Sequence, residues 1–188
     1  MESENDKEGY PPSPFGILCT TWCLLIVRLI MSIGWSSLTL TPSDSAVHQL
    51  AESWGWLLQE PFVPLLFSMF GDVFYQPESG GVWWLNTGTA EVTQVADSAS
   101  QFRELLGTEV ANEWFMPNLV EELHAAGKVP DPGECYSYVT LPVFAEGTYE
   151  VGNFNPAPAH EHFAITGHIL SKIQLLPSGA KVKLNVVP

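Results

Sequence analysis

The stretch Phe70–Ser98, FGDVFYQPESGGVWWLNTGTAEVTQVADS, decides the fold. Its runs Val73–Gln76, Val82–Asn86 and Glu91–Ala96 are rich in β-branched and aromatic residues. They are separated by the turn-forming clusters Pro77–Gly81 and Thr87–Ala90. Such spacing predicts a meander of adjacent antiparallel strands. Upstream, FVPLLFSMF is short, apolar and bounded by Pro61 and Gly71, so Leu65–Met69 is expected to be a buried strand, with Gly71–Asp72 as the turn or bulge into the meander.

Downstream of Asp97 the period lengthens from two to three or four. Ser98 followed by Gln101 is a capping-box pattern, Phe102, Leu105 and Leu106 form an apolar stripe, and Gly107 ends the helix. Pro117 falls inside the next helical stretch and divides it into Glu109–Phe115 and Pro117–Ala126, since proline is tolerated only in a first turn. Strand-like runs follow at Cys135–Pro142 and Gly147–Phe154, then helical periodicity in AHEHFAITGHILSKIQLL. The tail AKVKLNVV alternates like an edge strand, with Lys181 and Lys183 as its guards.

Toward the N-terminus, Ser43 or Asp44 caps a helix through AVHQLAESWGWLLQ, and SSLTLTPSDS before it reads as a linker. Phe15–Trp35 is apolar apart from Arg28. Its length suits a bilayer span, yet an inner arginine costs about 2.5–3.5 kcal/mol on insertion scales. The acidic leader MESENDKEG is unlike a secretory signal. A membrane anchor, a helix packed on the domain and an extension outside the fold all remain open. The expected organisation is therefore a polar leader and apolar segment over residues 1–45, then one α+β domain over 46–188, an antiparallel meander sheet packed by several helices. With 188 residues, about 70% of the unfolded surface can be buried, enough for one core.

The formal net charge is −14, and from Ala46 to Leu170 sixteen acidic residues face two basic ones, Arg103 and Lys128. Phosphate backbones are repelled by such a surface, which argues against direct nucleic-acid binding. A basic protein partner is attracted by it, although an acidic surface also serves solubility alone. Three cysteines, Cys19, Cys23 and Cys135, without a CxxC pair suit a reducing compartment. Cys135 has no cation beside it in sequence and reads as a small buried hydrophobe.

Catalytic chemistry finds little support. His160, His162 and His168 are the one cluster with metal-site residue types, but no pair has the i, i+4 spacing that lets two imidazoles share an ion. His160 and His168 stand about 12 Å apart along a helix. His124 falls near a helix C-terminus, where it meets the carbonyl dipole. Glu121 and Glu122 are adjacent on a helix and cannot enter one cleft together. Asp72 and Asp97 flank the meander and could converge, but read more simply as a turn residue and a helix-start residue. No GxSxG, P-loop or GxGxxG occurs. Neither a catalytic residue nor a cofactor is expected.

Taken together, SWGWLL, FGDVFYQ, VWWLNTGTAEVTQVADS, SQFRELL, the EW…LVEELHAAGKV segment, GECYSY, YEVGNF and HEHFAITGHILSKIQLLPSGAKV form an ordered set over roughly Ala46–Val182. This set resembles the C-terminal domain of the Tdi-type immunity proteins of type VI secretion, which protect a bacterium from a DNase effector. The resemblance implies an α+β fold related to the Smi/SUKH immunity domains and stoichiometric, non-catalytic binding of a toxin in the cytoplasm. Family members often carry a GAD-like domain ahead of this one. Met1–Ser45 is too short and too unlike it, so that domain's contribution is expected to be missing or replaced by the apolar Phe15–Trp35 segment, with membrane anchoring through 15–35 as the alternative location. No contact residue is carried over from the family. On charge and helix placement alone, Glu104, Glu109, Glu113, Glu121 and Glu122 are the expected contacts to a basic, nuclease-like toxin. A non-catalytic intracellular scaffold or regulatory module is the alternative.

Overall fold

In the computed structural model, residues 33–177 and 179–182 are described. The readings of the leader and of the apolar segment up to Ser32, with Cys19, Cys23 and Arg28, lie outside them. Among the described residues no helix is long and apolar enough to cross a membrane.

The stretch expected to be a linker is structured. A single helical turn, α1 (Trp35–Leu38), leads into a two-residue strand, β1 (Thr39–Leu40). Helix α2 (Asp44–Trp54) begins where Ser43 Oγ accepts from the Ala46 amide, and it ends at Gly55 rather than running on to Gln59. The strands β2 (Phe62–Ser68), β3 (Val73–Pro77), β4 (Val82–Asn86) and β5 (Glu91–Ala96) follow. Five strands pair antiparallel in the order β1-β2-β3-β4-β5, the meander read from the sequence with one strand added at its edge. Pro64 is tolerated in β2 because β1 pairs only with Phe67 and Ser68, so the missing amide costs no ladder bond there.

Helices α3 (Ala99–Leu105), α4 (Val110–Phe115) and α5 (Pro117–Ala125) come next. Ser98 Oγ accepts from the Gln101 amide, and Gln101 Oε1 accepts from the Asp97 amide, a reciprocal cap. The break between α4 and α5 has a local cause. Proline disfavours the right-handed helical region for the residue before it, and Met116 turns left-handed, with φ 42°.

Strands β6 (Glu134–Tyr138) and β7 (Phe154–Pro158) form a separate two-stranded sheet, with a 3₁₀ turn at Val151–Asn153 before β7. The strand expected over Gly147–Phe154 thus begins where that run ends. Pro156 and Pro158 obscured it in the sequence, but at alternate positions they direct their missing amides to the free edge. The last helix, α6 (Ala159–Ile173), packs on α2. Residues 180–182 are not strand, and the rest of the tail expected as an edge strand lies outside the described residues.

Large aromatics organise the interior. Phe74 is fully buried, with Phe102, Trp114 and Phe115 at ring-centroid distances of 5.0, 5.2 and 5.5 Å and Trp84 stacked at 6.2 Å. One β3 side chain thereby fastens α3 and α4 to the sheet. Across the sheet, Leu50, Trp54, Phe67, Leu85, Phe163 and Leu170 join α2 and α6 to it. Those two helices approach so closely at Gly167 that a Cβ there would lie 2.7 Å from the Ser53 carbonyl oxygen.

Candidate functional site

Two turns meet at one end of the large sheet. In the β2–β3 turn, Ser68 Oγ accepts from the amides of Phe70 and Asp72, and Gly71 adopts φ 80°. In the β4–β5 turn, Asn86 Oδ1 accepts from the amides of Gly88 and Thr89, which turns the Thr87 amide and hydroxyl inward. Both Thr87 groups donate to Asp72 Oδ1, at 2.9 and 3.2 Å. Thr87 Oγ1 also lies 2.9 Å from His162 Nε2 on α6, and His162 Nδ1 lies 3.1 Å from Ser137 Oγ on β6. Strand β6 is held there by the Tyr136 amide, which donates to the Met69 carbonyl at 2.7 Å.

The result is a continuous chain, Asp72–Thr87–His162–Ser137. When Asp72 is ionised, Thr87 donates to it, so His162 must carry its proton on Nε2 and accept from Ser137 at Nδ1. When Asp72 is protonated, the same chain can run in the opposite sense. Burial pushes the Asp72 carboxyl up to about 7, opposed by its Thr87 hydrogen bonds. Burial also lowers His162 to about 4. Asp72, Thr87 and His162 are at most 1% exposed, so no substrate reaches them. Their chemistry is the internal holding of a proton.

Asp72 is therefore more than the turn residue read from the sequence. Asp97, which could have converged with it, instead accepts from Gln94 Nε2 and is exposed. His162 is a core residue, while its proposed cluster mates His160 and His168 are exposed. Among the described residues no three His, Cys, Asp or Glu side chains converge on a metal position. Cys135 is fully buried, and burial raises its thiol far above the ordinary range.

Gly71 couples this turn to the imidazole. A Cβ there would lie 2.5 Å from His162 Nε2, on a backbone that L side chains rarely adopt. Gly71→Ala is expected to cost about 2 kcal/mol, combining left-handed strain with displacement of the imidazole. Urea unfolding measures it, and an unchanged midpoint would contradict this close packing.

On the surface, Glu104, Glu109, Glu113, Glu121 and Glu122 are all exposed, on or at the ends of α3, α4 and α5. Among the described residues none of them pairs with a cation. Among the described residues the single ion pair is His48–Glu52, at 3.6 Å and itself exposed. Lys128 is occupied elsewhere, donating to the carbonyls of Val151 and Phe154.

Beside these acids runs a groove. One concavity, of about 480 Å³, is lined by Trp35, Leu106, Glu109, Asn112 and Phe115 among others. A second of about 440 Å³ shares Trp35, Leu106 and Gly107 with it, and a third of about 380 Å³ shares Asn112 and Pro117 and reaches Tyr149. The sequence concealed this groove because its α1 wall, Trp35 and Leu38, falls where the apolar segment meets the supposed linker.

Residues 96–170 match the family model described as T6SS immunity protein Tdi1, C-terminal. This stretch belongs to the Tdi1 C-terminal family. It begins at the last residue of β5 and ends within α6, so the Tdi1-type stretch holds all five glutamates, Ser137 and His162. Asp72 and Thr87 precede it, as does FGDVFY, and the buried polar chain therefore ties the Tdi1-type stretch to the meander ahead of it. Among solved structures, the crystal structure of Atu4351 from Agrobacterium tumefaciens is similar, at 16% identity and a TM-score of 0.47, over 79% of this chain and 75% of that one. No curated protein matches.

Proposed function

We propose that this type VI secretion immunity protein acts in the cytoplasm by binding a cognate toxin and occluding it, without catalysis, and that the toxin is a basic nuclease. The observation that carries this reading is the set of five exposed glutamates, with no cation paired to them among the described residues. A nuclease must present a basic surface to its DNA, and an uncompensated acidic face is complementary to such a surface. The sealed Asp72–His162 chain, closed to substrates, supports a binding role over an enzymatic one.

The test is titration of the full chain against an inactive form of the nuclease encoded beside it. A 1:1 complex is expected, with affinity falling about tenfold or more as salt rises from about 0.05 to about 0.5 M. Absence of a complex at low salt would overturn the proposal.

A further inference from the structure

Resting on that reading, we infer that the groove between α1 and α4 seats an apolar side chain of the toxin, flanked by lysines or arginines that meet Glu104, Glu109 and Glu113. Trp35 packs edge-on against Phe115 at 5.3 Å, yet stays 49% exposed within the groove. Half-exposed aromatics backed by a rigid core are the side chains that dominate binding energy at interfaces. Phe115 is fixed from behind by Phe74, so the wall carrying Trp35 is preformed.

The groove also specifies the charge of its occupant. Glu109 lines it, Glu113 stands one helical turn further along α4, and Glu104 lies at the end of α3, just before the Gly107 that lines two of the concavities. The lining itself holds one acid, Glu109, and one base, Arg103, so the negative excess comes from Glu104 and Glu113 beside it. The remaining lining is mostly apolar, with Leu38, Leu66, Leu106 and Phe115, and its polar members are Thr39, Thr108 and Asn112, so among the described residues it offers no buried ionisable group to orient a small polar ligand. An apolar anchor with basic flanks satisfies both features, whereas an acidic or wholly polar segment satisfies neither.

The experiment compares two triple variants of equal charge change in the full-length protein, each titrated with the inactive toxin. Glu104→Lys, Glu109→Lys and Glu113→Lys reverse the groove rim, and Glu52→Lys, Glu78→Lys and Glu161→Lys reverse exposed acids on other elements. The rim variant is expected to bind about 100-fold more weakly, the control less than about tenfold. Trp35→Ala should separately cost about 30-fold or more, as removal of a buried anchor does. Because Trp35 touches Phe115, Thr108→Arg serves as its counterpart: the position is exposed, gives up only a local hydrogen bond to the Leu105 carbonyl and fills the groove, and should weaken binding comparably. Equal losses for the two triple variants, or full binding by Thr108→Arg, would overturn the groove assignment and leave toxin binding intact. Failure of the wild type to bind would overturn the underlying reading instead. A concentration-dependent dimer abolished by Thr108→Arg would assign the groove to a second copy of this chain and overturn the inference.

Discussion

Asp72→Asn will lose about 4 kcal/mol of stability relative to wild type as pH falls from 7 to 3.8, and His162→Gln will gain about 3 kcal/mol relative to wild type as pH falls from 6.5 to 4. The folded pKa of His162 is depressed, from 6.5 to about 4. Below pH 6.5 the unfolded chain takes up a proton that the folded chain refuses, so stability drops until the folded histidine protonates near pH 4. The folded pKa of Asp72 is raised, from 3.8 to about 7. Its contribution has the opposite slope: full below pH 3.8 and lost as pH rises through 7. Between pH 4 and 6.5 one proton sits on His162 in the unfolded state and one on Asp72 in the folded state. Proton uptake by the pair is thus nearly equal in the two states, and the wild type shows almost no pH dependence from it.

Either substitution removes one side of that balance and exposes the other. Urea unfolding of wild type and both variants at half-unit pH steps supplies the measurement, read as differences so that the surface carboxylates common to all three proteins cancel. Curves parallel to wild type would show that the two groups do not exchange a proton on folding. Opposite slopes of similar size would confirm that they do.

Phe74→Ala is expected to destabilise by about 3–5 kcal/mol, the range for deleting a buried phenylalanine. This ring is the common neighbour of Trp84, Phe102, Trp114 and Phe115, so its removal leaves a cavity bordered by four rigid aromatics that cannot collapse into it. The urea midpoint should fall with the slope unchanged, and tryptophan fluorescence should report the loss because Trp84 and Trp114 border the cavity. Toxin affinity should fall with it, since Phe115 supports Trp35 and loses its own support. A loss below about 1 kcal/mol would mean that α3 and α4 are held to the sheet by something other than this ring.

By itself the sequence determined the elements whose signals are local. Period-two runs between turn residues produced β3, β4 and β5, Ser98 and Gln101 marked the start of α3, and the Met116–Pro117 step separated α4 from α5, because each of these depends on neighbours a few residues apart. It also determined the acidic surface, since a span with sixteen acids and two bases cannot neutralise itself in any fold. Tertiary structure alone decided the rest. Thr39–Leu40 is a strand only because β2 offers an edge, and β7 is a strand only because β6 pairs with it despite two prolines. Asp72 and His162 are ninety positions apart, and nothing in the spacing of either residue signals that Thr87 will stand between them. Burial of a polar group is affordable only where partners converge, and that convergence is a property of packed turns and helices, not of the chain read in order.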